Sequence, residues 1–278
     1  MVLKYFIRLA SVLVVSTVFL EGVQAETLVL IAGFQAQGMD WRFRNVSDAL
    51  TSSGWVDGGN LSLTPRGIVN PIRLPYAPKK VFFTVDLPSS APVAQQAGVL
   101  HHYLKAIYHY RKEPLALAGH SAGGVVARYW VVANAGRKTP KVDTLITIAA
   151  PNLGTPVADL SGALVGTPLM DMAEQMGLGS LRQARGLYAD LRQEKPGNFM
   201  YWLNHQPHPA IRYVSIVRTG NTPETADLVV PPANQDMNHI FVLHGHAEII
   251  PTPNIGHLLT AEDGYILANV LSKQATQR

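Results

Sequence analysis

Apolar residues in this chain gather in short unbroken runs separated by helix-length amphipathic stretches. Thr27 to Ala32, closed by Gly33, Val81 to Val85, Leu115 to Ala118, Val142 to Ala149 and Ile211 to Val217 each read as a strand buried on both faces. Ile240 to Leu243 is a shorter run of the same kind and reads as the last strand. Between them, Asp40 to Ser53 suggests a helix, and Val93 to Arg111 carries apolar residues at helical spacing through Val99, Leu100, Tyr103, Leu104, Ile107 and Tyr108. A final helix is expected over Ala261 to Leu271. Strands that alternate with helices predict an α/β fold, with a mainly parallel central sheet covered by helices on both faces.

One interval breaks the alternation. From residue 153 to 209 there is no clear strand, and the segment is rich in Leu, Met and Gly, from Leu160, Leu164, Leu169, Met170, Met172 and Met176 to Leu178 and Leu181. Apolar helical stripes usually pack on a core. Open α/β sheets place their sites at the carboxyl ends of the strands, so a helical cap or lid inserted there is the functional expectation, and flexible Met-rich surface suits a lipid-like ligand.

The run Leu115 to Ala118 leads directly into Gly119-His120-Ser121-Ala122-Gly123-Gly124 and then into a helix-like stretch from Val125 to Trp130. A G-x-S-x-G string is weak evidence alone, but strand, sharp turn and helix in this order form the setting of a nucleophile elbow. Ser121 is therefore the candidate nucleophile. A serine hydroxyl needs a histidine to take its proton and an acid to hold that histidine's tautomer. In chain order the acid follows the serine and the histidine comes last. Asp227, in a connection after the strand Ile211 to Val217, is the candidate acid, with Asp236 and Glu224 as rivals. Of the tail histidines, His257 lies in a loop just before the final helix and is the candidate base; His246 is the alternative. His120, the variable elbow position, is expected to orient and not to react. The oxyanion would be held by backbone N–H groups of Ala122 and of Phe34 in the loop after the first strand, or of Gln35 in its place.

Composition narrows the setting. A chain of 278 residues with 47% hydrophobic content suits one large core. Residues 1–25 read as a secretory signal peptide: Lys4 and Arg8 lead an apolar stretch from Leu9 to Leu20, followed by the small-x-small pattern Val23-Gln24-Ala25. The apolar core is shorter than the roughly 18 residues that spanning a membrane needs. The mature domain, residues 26–278, is expected in the periplasm or outside the cell. The absence of cysteine excludes a disulfide framework and a lipid anchor on a cysteine. Removing Lys4, Arg8 and Glu21 with the leader lowers the formal charge of +4 by one, and no Lys/Arg run marks a nucleic-acid face. No cofactor is needed by the chemistry. His244 and His246 flank Gly245, but no zinc-type spacing accompanies them and no metal is expected.

Together, Gly-His-Ser-Ala-Gly-Gly at 119–124, Ala-Pro-Asn-Leu-Gly-Thr-Pro at 150–156, Asp-Leu-Val-Val-Pro at 227–231 and Gly-His-Leu-Leu at 256–259 resemble the bacterial lipase and esterase branch of the α/β-hydrolase superfamily. The chain is also similar to the group that includes GPI inositol-deacylase-like hydrolases. The resemblance implies an α/β-hydrolase fold and a serine esterase mechanism, with Ser121, Asp227 and His257 as triad, acting on a small-molecule or lipid ester and touching a lipid surface transiently. The chain departs from such lipases at Ala32 and Asn152, where they usually carry histidine. Acyl transfer, thioester or amide cleavage by the same triad, and a non-catalytic binding role, are the other readings.

Overall fold

The computed structural model describes residues 26–74, 76–138, 140–164, 183–222, 225–253 and 255–276. The elements that position the site are β1 (Glu26–Ile31), α1 (Asp40–Phe43), α2 (Val46–Ser52), β2 (Val56–Thr64), β3 (Gly67–Val69), β4 (Lys80–Val85), α3 (Val93–Arg111), β5 (Leu115–His120), α4 (Ala122–Ala133), β6 (Val142–Ile148), α5 (Pro156–Leu164), α6 (Arg185–Asp190), α7 (Phe199–Asn204), β7 (Arg212–Arg218), α8 (Pro232–Gln235), β8 (Ala247–Thr252) and α9 (Ala261–Thr276). The strands form one sheet in the order β3-β2-β4-β1-β5-β6-β7-β8, parallel except for the β2–β3 pair.

Central strands are largely apolar because each face of the sheet has its own core. Val29 and Ile31 of β1 point into a layer shared with α3 and α4, whereas Leu28 and Leu30 point into one shared with α2 and α9. The same alternation runs through β5, where Leu115 and Leu117 face one layer and Ala116 and Ala118 the other. Val125, Val126 and Trp130 anchor α4, and Leu267, Val270 and Leu271 anchor α9.

Three sequence expectations need correction. Ile240 to Leu243 is not a strand: Phe241–Leu243 is a 3-10 turn in which Ile240 and Leu243 are buried and Phe241 is 80% exposed. That three-residue spacing is the period of the 3-10 helix and not of a strand. The last strand is β8, which carries Glu248 and Pro251 and lies at the sheet edge, where a proline can be accommodated without losing a ladder bond. The helix expected over Asp40 to Ser53 is two helices, because Asn45 takes a left-handed φ of 60° between them. Strands β2 and β3 were not expected at all; the ladder between β2 and β4 slips at Gly58-Gly59, where Gly59 has φ 104°, so no continuous apolar run announces it.

The segment between β6 and β7 contributes α5, α6 and α7. Leu187, Leu191, Met200 and Leu203 are buried in the same core layer as α3 and α4. Leu169, Met170, Met172, Met176, Leu178 and Leu181 lie outside the described residues, as does Glu224.

Candidate active site

The turn at Ser121 is built by backbone crowding. Ser121 sits at φ 50°, ψ −128°, a region a non-glycine residue occupies only when its surroundings impose it. A Cβ on Gly119 would lie 2.5 Å from the Gly123 carbonyl, and one on Gly123 would lie 2.4 Å from that of Ala32. These two glycines let β5 turn into α4 directly against the end of β1. The tip carries the Ser121 hydroxyl to the carboxyl edge of the sheet.

Two loops from far along the chain reach it. Asp227 follows β7, is buried, and has its Oδ2 2.9 Å from Nδ1 of His257, whose Nε2 is 3.0 Å from the Ser121 Oγ. The geometry assigns the His257 tautomer: Nδ1–H donates to the carboxylate, and Nε2 accepts from the serine hydroxyl. Asp227 is held in turn. Its Oδ1 accepts the N–H groups of Val229 and Val230 at 2.9 and 2.8 Å, and its Oδ2 also accepts the Gln235 side-chain amide at 2.9 Å. Gln235, itself buried, donates again to the Val230 carbonyl and accepts the Arg218 N–H. Thr155 donates its hydroxyl to the Val229 carbonyl, tying the acid loop to the start of α5.

His120 braces the other side. Burial, with the neighbouring His257 as a lesser cause, drives its pKa down to about 3, so the ring is neutral at physiological pH and its Nε2–H donates to the His257 carbonyl at 2.8 Å. The Ser121 turn and the loop that bears His257 are thereby linked by a single ring.

A cavity of about 430 Å³ opens over Ser121. Phe34, Val157, Leu187, Tyr188, Leu191 and Leu258 give it an apolar wall, and the Phe34 ring meets Tyr188 edge-on at 5.4 Å. Phe34, Gln35 and Ala122 line the same cavity, and the crowding at Gly33, where a Cβ would stand 3.0 Å from the Ser121 Cβ, sets their loop against the elbow. Gln35 carries a left-handed φ of 55° at the bend of this loop.

The rivals are elsewhere. Asp236 caps the turn that follows it through the Asn238 N–H. His246 lines a separate cavity with Val142 and Arg212 at the opposite, amino edge of the strands. His244 is exposed and bonded to the Asn238 carbonyl. Asn152 is fully buried and donates to the Gln235 carbonyl and the Thr147 hydroxyl. Among the described residues no group of His, Asp and Glu side chains has the arrangement of a metal site, and no helix is long and apolar enough to cross a membrane. Sequence reasoning did not single out Gln235: an isolated glutamine in a polar loop carries no signal until its burial under Asp227 is seen.

Residues 77–165, from the approach to β4 into α5, match the family model of the PGAP1-like α/β domain. No curated protein sequence matches the chain. Among solved structures, the mature lipase BlEst2 of Bacillus licheniformis superposes with a TM-score of 0.61 at 15% identity, covering 90% of this chain and 92% of that one. A metagenomic carboxyl esterase gives 0.57 at 14% identity over 91% and 76%. The lin2722 gene product of Listeria innocua gives 0.56 at 15% over 90% and 92%. With an eight-stranded, mainly parallel sheet and a superposition on these proteins over about nine-tenths of its length, the chain has the α/β-hydrolase fold of these lipase and esterase structures.

Proposed function

We propose that the protein is an exported serine hydrolase that cleaves carboxylic esters, acyl or lipid esters in particular, through an acyl-enzyme on Ser121. The observation that carries this is the unbroken line from the Ser121 Oγ through His257 to Asp227, with separations of 3.0 and 2.9 Å, beneath a largely apolar cavity. In this reading His257 Nε2 takes the hydroxyl proton as Oγ attacks the ester carbonyl, and Asp227 stabilises the imidazolium that forms. The oxyanion is held by the backbone N–H groups of Ala122 and Phe34. Collapse expels the alcohol, which leaves with the proton from His257; a water then repeats the sequence and frees the acid and Ser121. Each step moves only protons and an acyl group, so the protein's own side chains and water suffice. The apolar wall from α5 and α6 receives the acyl chain, with these two helices acting as its cap.

Two experiments test the reading. Purified residues 26–278 are offered p-nitrophenyl esters from acetate to palmitate beside Ser121→Ala; wild-type turnover absent from the variant is expected, whereas equal rates overturn it. Export is tested separately by the mass of the protein recovered from periplasm or medium, which is expected to begin at Glu26; intact protein retained in the cell refutes cleavage after Ala25.

A further inference from the structure

The candidate active-site cavity has two chemically different sides. Its acyl-sized wall is apolar, but the segment after β1 contributes Asp40 and Arg44 to the lining. Asp40 is engaged: its Oδ2 accepts the Gln37 N–H at 2.7 Å. Arg42, two residues before Arg44, is engaged more completely, with Nε and Nη2 on the Asp57 carboxylate and Nη1 on the Thr84 hydroxyl. Arg44 differs from both. It is exposed, lines the cavity, and has no ion pair or side-chain hydrogen bond among the described residues. Among the described residues that line this cavity it is also the single Arg or Lys. Apart from the half-engaged Asp40, no Asp or Glu among the described lining residues offers it a counter-charge.

An unmatched guanidinium beside an apolar acyl wall selects a particular kind of ester. We infer that the substrate's alcohol portion bears an anionic group, a phosphate or carboxylate, which Arg44 reads while the acyl chain lies along Leu187, Leu191 and Leu258. A guanidinium presents paired N–H donors that fit such oxyanions two at a time, which gives direction as well as attraction. The inference rests on the hydrolase reading above and adds the charge of the leaving group to it. Asp40 opposes a second negative charge nearby, so one anionic group is favoured over a cluster.

The test compares two soluble esters that differ only in that charge, hexanoyl glycerol and hexanoyl glycerol 3-phosphate, below their aggregation concentrations. The wild type is expected to prefer the phosphate ester in kcat/KM by about fivefold or more, the scale of one partly exposed ion pair, and to lose preference as salt rises. Arg44→Ala should abolish the preference through KM while leaving the neutral ester within twofold, and Arg44→Lys should keep part of it. Equal use of both esters by the wild type, or a preference that survives Arg44→Ala, overturns the inference while leaving the hydrolase reading intact. Failure of the wild type to cleave either ester defeats both. In a second arm the neutral ester is presented on phosphatidylcholine or phosphatidylglycerol vesicles. A charge preference seen only on the anionic vesicles places the anion on the surface instead of the substrate and also overturns the inference.

Discussion

Gln235 is a sensitive point of the site because one buried amide serves three partners. Its Nε2 donates to Asp227 Oδ2 at 2.9 Å and to the Val230 carbonyl at 2.7 Å, and its Oε1 accepts the Arg218 N–H at 2.8 Å. Gln235→Leu removes all three from a fully buried position. A bond to an ionised carboxylate contributes about 1.5–3 kcal/mol and each neutral bond about 1 kcal/mol, so the loss is about 4 kcal/mol. For a domain of this size that corresponds to a fall in Tm of roughly 10 °C. Catalysis changes through position. With one donor fewer, the Asp227 carboxylate is held less firmly against His257 Nδ1, and kcat/KM is expected to fall. Gln235→Glu separates charge from packing. Placed beside Asp227, the new carboxyl has a folded pKa raised above its unfolded value of about 4.3. Its favourable, protonated form is fully present below that value, and stability is lost as pH rises through the folded pKa. Thermal melts of the two variants at a series of pH values, with kcat/KM for each, provide the measurement. A Gln235→Leu protein that melts within a degree or two of wild type with unchanged kcat/KM refutes the reasoning.

Other consequences follow from buried groups. His120 and His208 have pKa values lowered to about 3 and about 4, chiefly by burial, against an unfolded value near 6.5. Above pH 6.5 neither affects stability; as pH falls below it the unfolded chain binds two protons that the folded one refuses. Urea unfolding is therefore expected to lose about 2.7 kcal/mol per pH unit between pH 6 and 4.5 from these two groups, and about half of that in His208→Gln. Arg218 and Asp263, both fully buried, pair at 2.9 Å and fasten β7 to α9. Asp263→Asn strands the cation and should cost about 3–5 kcal/mol in chemical unfolding, while Arg218→Met with Asp263→Leu recovers most of it. Gly123→Ala forces a methyl to within 2.4 Å of the Ala32 carbonyl and 2.6 Å of that of Ile31. It is expected to abolish activity and lower Tm; wild-type behaviour would show that the elbow is looser than its glycines imply.

The central strands and the elbow were legible because burial on both faces leaves an unbroken apolar run, as in β1 and β5, and because G-x-S-x-G follows one of them. Strands at and next to the sheet edges were not: β8 is interrupted by Glu248 and Pro251, and β2 turns at Gly58-Gly59, so neither has the pattern of a buried strand. The apolar run at Ile240 to Leu243 misled because two buried residues three apart mimic a strand when Phe241 between them is also apolar. At the site, Ser121, Asp227 and His257 could be placed by residue type and chain order, and the structure brings them within hydrogen-bond reach. Chain order could not reveal what supports them. Gln235 under Asp227 and the Thr155 bond to the acid loop depend on tertiary neighbours that no local pattern encodes.

The most direct measurement is covalent trapping. Wild-type protein incubated with an alkyl fluorophosphonate should gain the mass of one phosphonyl group, located by peptide mapping on Ser121, with the reaction slowed at least a hundredfold in His257→Ala. Labelling on another residue, or none on folded protein, contradicts the assignment of Ser121 as nucleophile and with it the hydrolase account.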